Sequence, residues 1–294
     1  MKKNTIGMRV FAVFNYIFLT AVALTCLLPM LNQLAISLSA SPAVAAGSVF
    51  LWPVDFTLES YGYMAGKPEF FRSLGVSAQR LLLGVPLSML VSVLAAYPLS
   101  RQVHEFHARK YYIWYFIIPM MFYGGLIPSY MVVRNTGLID SILALVVPCA
   151  INVFNIILLM NFFRSIPKEI EEAAAIDGAG HMNTLFRIIL PVSAPVLATV
   201  LLFFIINHWN AWFDGLIYMN APTNYPLQTY LQTQVVGQDI MSLESMRDVR
   251  QIANISDRTG KAAQIFLAAI PVLIVYPFLQ KYFTTGIVMG SVKG

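Results

Sequence analysis

The sequence predicts an all-α membrane protein with six transmembrane helices, and three observations predict it. Of 294 residues, 58% are hydrophobic and 11% charged, against roughly 25% charged in an ordinary soluble domain. That leaves too few charges to cover a soluble surface. Six apolar segments are long enough to cross about 30 Å of hydrocarbon, which takes around 20 helical residues at 1.5 Å each. Basic residues gather at the ends of those segments rather than inside them.

The segments run from Val10 to Ile36, Leu74 to Leu99, Tyr111 to Val133, Ile139 to Phe163, Val192 to Tyr218 and Ala262 to Phe283. Lys2 and Lys3 ahead of the first segment, with Ala43-Val44-Ala45 beyond it, resemble a secretory signal. Its apolar core is far longer than the roughly 7 to 15 residues of a signal, so a retained helix is expected. Pro86, Pro98, Pro119, Gly124, Gly125 and Pro148 interrupt several segments, which is tolerable where neighbouring helices satisfy the freed backbone groups. The expected organisation is residues 1–70 as the first helix and an external loop, 71–284 as a core of five helices, and 285–294 as a cytoplasmic tail.

Orientation follows from the basic residues. With the N-terminus inside, Lys2, Lys3, Arg9, Arg101, Arg109, Lys110, Arg164, Lys168, Arg187, Lys281 and Lys293 fall inside. Lys67, Arg72, Arg134, Arg247, Arg250, Arg258 and Lys261 fall outside, and the last four share a loop with Asp239, Glu244, Asp248 and Asp257. Both termini are therefore expected in the cytoplasm. The net charge of +5 comes without the clustered Lys and Arg of a nucleic-acid surface. Cys26 and Cys149 lie in apolar segments and define no disulfide framework. His104, Glu105 and His107 in one short loop lack further metal ligands, so no metal site is expected. No grouping of nucleophile, acid and base suggests an enzyme.

The inner loop from Ser165 to Pro191 carries the strongest signal. Pro167 suits a helix start, and Glu169, Glu171 and Glu172 favour the positive end of the macrodipole. Ala174 with Gly178, and Ala175 with Ala179, stand four apart, so one side of this helix is nearly bare and open to close approach. Gly178 and Gly180 can supply the positive φ that ends it. A second short helix from about His181 leads to Pro191. The expected helix-turn-helix offers Ala and Gly beside carboxylates, which suits a protein cleft better than lipid.

These residues resemble a known family. Glu172-Ala173-Ala174, Gly178, Ile188 and Leu190-Pro191 match, at every fixed position and spacing, the signature loop of permeases of ABC importers. The stretch Asn207-His208-Trp209-Asn210-Ala211-Trp212-Phe213-Asp214 resembles the Trp-Asn cluster late in the fifth span of carbohydrate permeases. The ending from Tyr276 to Gly294 resembles that of the second, maltose-type permease subunit, and within that class permeases for complex or acidic oligosaccharides, including the alginate importer. The resemblance implies the type I importer permease fold and a cytoplasmic coupling helix-turn-helix. It also implies a heterodimer with a second permease, two ATP-binding subunits and an external solute-binding protein delivering an oligosaccharide.

In that setting Glu172, Ala173, Ala174, Asp177, Gly178, Ile188, Leu190 and Pro191 are the expected ATPase-coupling residues. No cofactor is expected on this chain. Gly260-Lys261 is followed by Ala262 rather than Ser or Thr, so ATP and Mg belong to partner subunits. Arg80, Asn207, His208, Trp209, Asn210, Trp212 and Asp214 are candidates for the substrate path. Arg80, near the outer end of the second span, either faces a cavity or partner, or snorkels to the headgroups. Trp209 and Trp212 either stack on sugar rings or belong to an interfacial aromatic belt. An ion-coupled secondary transporter would instead carry intramembrane carboxylates and often repeated halves, neither of which is evident.

Overall fold

The computed structural model describes residues 6–122, 124–241, 258–274 and 277. Among them the regular elements are helical, with one isolated antiparallel bridge between Ser39 and Phe56. They fall into two compact units. The first comprises the described residues up to Pro68 and those from Leu231 to Ile270; the second comprises Glu69 to Tyr230 and those from Pro271 onward.

In the first unit, α1 (Ile6–Ser37) is apolar all round and exposes its side chains along most of its length. That is the pattern of a helix solvated by hydrocarbon. The following loop carries α2 (Ser41–Ala45) and α3 (Glu59–Ala65) and folds back on the end of α1. Asn32 Nδ2 donates to the Phe50 carbonyl at 2.6 Å, while Ser39 Oγ donates to Ala35 and accepts from Val54 N–H. Ala35, Ala43, Val44 and Val49 close a small core beneath these bonds.

The second unit is organised around α4 (Pro68–Ser100), which runs unbroken through Pro86 and Pro98. Its buried face steps along Ser73, Ser77, Arg80, Gly84, Ser88, Ser92 and Ala96 at intervals of three or four residues. Small side chains matter here because lipid tails are as apolar as leucine, so helices associate through close packing and hydrogen bonds rather than through hydrophobic burial. A Cβ on Gly84 would stand 2.7 Å from the imidazole Cε1 of His208.

Three expected spans are broken in the structure. Tyr111 to Val133 divides into α5 (Arg109–Met121) and α6 (Leu126–Asn135), whose axes meet at 117°. Gly125 takes φ +92 at the start of α6, a conformation that disfavours a side chain. Ile139 to Phe163 divides into α7 (Ile142–Val146) and α8 (Val153–Ser165), interrupted around Pro148. Asn152 caps α8 by accepting from Asn155 N–H.

The inner loop forms α9 (Lys168–Ile176) and then α10 (His181–Thr184), a π-helical turn Leu185–Ile189 and α11 (Leu190–Val192). Pro191 has no N–H, and its ring crowds the carbonyl four residues back. The π turn widens the helix just before it, with Leu190 N–H reaching Leu185. An 86° bend at Ser193 then leads into α12 (Ala194–Asn210). The fifth expected span, Val192 to Tyr218, is thus α12, a break at Ala211 and Trp212, and α13 (Phe213–Tyr218). Next come α14 (Leu227–Met241) and α15 (258–274). Residues 275–283 of the sixth expected span, Pro277 apart, and the expected tail 285–294 lie outside the described residues, as do Arg247 and Arg250.

The main core joins α4, α8, the π turn and α12, through residues such as Ala96, Leu159, Leu185, Ile189, Val200 and Phe204. A smaller core of Val133, Ala144, Leu145, Tyr218 and Met219 ties α6 and α7 to α13.

Candidate functional site

Two groupings of the expected site residues emerge, one in the first half of α4 and one at its C-terminal end. At the end that carries Arg101, α9 closes with a Schellman turn. Ala179 N–H bonds to Ala174 and Gly178 N–H to Ala175, with Gly178 at φ +76. Gly178 therefore supplies the expected positive φ. Gly180 does not: it is extended at φ −69 and precedes α10, whose Thr184 hydroxyl returns to its carbonyl.

The helix has two distinct faces. Ala174, 4% exposed, turns into the chain's own core beside the half-buried Ile170. The bare Ala174–Gly178 side expected to face a partner is thus divided, and Gly178 alone of that pair is exposed. The outward face carries Glu169, Glu172, Ala173 and Ile176, the last 86% exposed. Asp177 and Pro191 are exposed, and Ile188 and Leu190 are half-buried.

Sequence reasoning did not single out Ile176, because one isoleucine in a loop has no signature. Nor did it single out the ion pair between Arg101 and Glu171, which lie far apart in sequence. Arg101 also lies over the Tyr97 ring, 4.4 Å from its centroid, so a cation–π contact braces Arg101 on the end of α4 while its charge ties α9 there.

In the first half of α4, Arg80 is 1% exposed and forms a two-pronged ion pair with Asp214. Its Nη1 donates to Asp214 Oδ1 at 3.1 Å and reaches the Ala211 carbonyl at 3.4 Å, while Nη2 engages Oδ2. Arg80 Nε meets His208 Nδ1 at 3.5 Å, placing the ring proton on Nε2, which lies 3.2 Å from Ser88 Oγ. The snorkelling alternative is therefore corrected: the guanidinium is sealed inside the unit.

The pair occupies the break between α12 and α13. The cation lies at the C-terminal end of α12 and the carboxylate in the first turn of α13, so each charge complements the macrodipole of the helix end it meets. Thr229 Oγ1 donates at 2.7 Å to the Trp212 carbonyl, which also accepts from Leu216 N–H at 3.3 Å. Leu227 N–H donates to Ser77 Oγ at 2.8 Å. Gly215 admits this segment, since a Cβ there would stand 2.8 Å from Pro226 Cδ.

The expected substrate-path residues thus separate. Arg80, His208 and Asp214 come together as packing, and Trp209 is buried. Asn207, Asn210 and Trp212 are exposed. No set of three or more metal-ligating side chains gathers among the described residues.

Residues 62–288 match the family model described as binding-protein-dependent transport system inner membrane component. The protein LplC of Bacillus subtilis is 40% identical over 99% of this chain and 97% of its own length. The polygalacturonan/rhamnogalacturonan transport system permease protein YtcP of the same organism is 39% identical over 97% and 99%. Among solved structures, a chain of a bacterial ABC transporter involved in import of the acidic polysaccharide alginate superposes with TM-score 0.84 and 32% identity, covering 95% of this chain and 98% of that one.

Removing one partner of a buried ion pair leaves the other charge uncompensated. Asp214→Ala is expected to cost about 3 kcal/mol, read as a lowered thermal midpoint of the purified protein in detergent. Arg80→Met combined with Asp214→Ala recovers most of that loss. If the double variant is less stable than Asp214→Ala alone, the two residues do not act as a pair.

Proposed function

The chain belongs to the family of binding-protein-dependent transport system inner membrane components, and from that membership we propose that it passes an acidic oligosaccharide inward as one half of a permease heterodimer. Two ATP-binding subunits drive the cycle from the cytoplasm, and an external binding protein delivers the sugar. The observation that carries the coupling role is the outward face of α9, where Ile176 stands exposed beside Glu169 and Glu172 at the tip of a rigidly closed hairpin. An apolar anchor flanked by carboxylates suits insertion into a groove of another protein. Glu171 and Ala174 on the opposite side hold α9 to the rest of the chain, so movement of the docked face is passed to α4 and the π turn. Alternating access follows from that movement.

The charge distribution supports an orientation with both termini and the hairpin in the cytoplasm. After replacement of Cys26 and Cys149, His181→Cys is expected to react only with reagent on the cytoplasmic side of sealed vesicles, and Thr57→Cys only from outside. Reaction of the His181 variant from outside reverses the topology.

Ile176→Asp is expected to cut binding-protein-stimulated ATP hydrolysis and uptake at least tenfold, on the scale of a lost interface anchor of about 2 kcal/mol. Glu172→Ala should act more mildly. Gly178→Leu loses coupling as well, because a side chain is strained at φ +76. The docking role fails if the Ile176 and Glu172 variants both transport at the wild-type rate.

Support for an acidic substrate comes from the relative named for polygalacturonan and rhamnogalacturonan and from the alginate transporter. It does not come from Arg80, whose charge is taken up by Asp214. Asn207, Asn210 and Trp212 are the exposed residues left to meet sugar hydroxyls and ring faces. The assembled complex should show ATP hydrolysis stimulated by its binding protein when loaded with uronate oligomers. Stimulation only by neutral oligomers of equal length removes the acidic assignment and leaves the importer reading in place.

A further inference from the structure

A cavity of about 270 Å³ opens at the Arg101 end of α4, and its walls carry Arg101, Arg109, Arg164 and Lys168 against Glu105 and Glu171. At about 30 Å³ per water it has room for several waters, or for one compact anion. The carboxylates do not balance the cations. Glu171 is engaged by Arg101, and Glu105 lies 3.9 Å from that same guanidinium.

Arg109 Nε and Arg164 Nη2 both donate to one oxygen, the Leu99 carbonyl, at 2.8 and 3.5 Å. Capping the C-terminal end of α4 explains why cations gather there. It does not explain two guanidiniums sharing one acceptor, because a single carbonyl leaves most of their N–H donors unused. Among the described residues neither guanidinium nor Lys168 has a carboxylate partner, and the buried Arg101 Nε has no acceptor.

Depth identifies the ligand chemistry. Arg101 follows α4, Arg109 opens α5 and Arg164 closes α8, so the cavity lies where membrane helices end. On the orientation proposed above, that is the level of the inner-leaflet headgroups. We propose that this cavity binds a phosphate-type anion, with several acceptor oxygens converging on Arg101, Arg109, Arg164 and Lys168. An anionic phospholipid is one source and free phosphate the other. Because Arg101 also holds Glu171 on α9, the bound anion fixes the root of the docking hairpin. The proposal rests on the membrane reading for its depth, and binding is measured separately from uptake, so either can fail alone.

The test uses the whole transporter complex in lipid nanodiscs. Native mass spectrometry compares retained phosphatidylglycerol in the wild type, in Arg164→Gln with Lys168→Gln, and in Arg187→Gln. The last removes an exposed charge outside the cavity. Each basic residue near an anionic surface is worth about fivefold in affinity, so the double variant should bind roughly 25-fold more weakly while Arg187→Gln matches the wild type. In a second arm, inorganic phosphate is titrated into phosphatidylcholine discs while thermal unfolding is followed. Protection of the wild type but not of the double variant, without a phosphatidylglycerol effect, supports the anion site with free phosphate as its ligand. The proposal is overturned if neither anion distinguishes the double variant from Arg187→Gln. It is equally overturned if the double variant loses its ATP-binding subunits with anion binding unchanged, since the basic wall then belongs to a protein interface.

Discussion

The rest of the second unit depends on one constraint: a backbone broken at membrane depth must have its freed polar groups and any buried charge satisfied from within the protein. The break between α12 and α13 meets it with a single arginine from another helix. Arg80 satisfies the Ala211 carbonyl, neutralises Asp214 and orients His208, while Thr229 takes the adjacent carbonyl of Trp212. Neither charge is stable there without the other. The small residues of α4, Gly84 above all, let α12 come close enough for these contacts.

Arg80 and Arg101 stand 21 residues apart along α4 and its end, which at 1.5 Å per residue is about 32 Å, close to the thickness of the hydrocarbon layer. One unbroken helix therefore carries, within itself and just past its end, two ionic anchors separated by about that thickness. One anchor fixes the break in the fifth span and the other fixes α9.

Hydropathy made the six apolar segments legible, because lipid demands about 20 apolar residues per crossing whatever the tertiary structure. Proline and glycine marked where spans could break, but not the 117° and 86° bends, which depend on what packs against each half. The inner-loop hairpin was legible because its residues are local: helix start, closing glycine and Pro191 lie within one loop. Which way the helix faces was not. Ala174, expected on the bare outward side, is buried, and Ile176, for which nothing was expected, is exposed; Glu171 on the buried side pairs with Arg101, and that pairing joins distant parts of the chain. The Arg80–Asp214 pair was hidden for the same reason: both residues stood out, but nothing in their spacing joined them.

The two faces of α9 also separate two kinds of inherited constraint. Ile170, Glu171 and Ala174 answer to this chain's own architecture, whereas Glu169, Glu172 and Ile176 stand outward, free of its core. Substitutions on the second set leave internal packing untouched. The outward set can therefore vary without unsettling the scaffold that carries it.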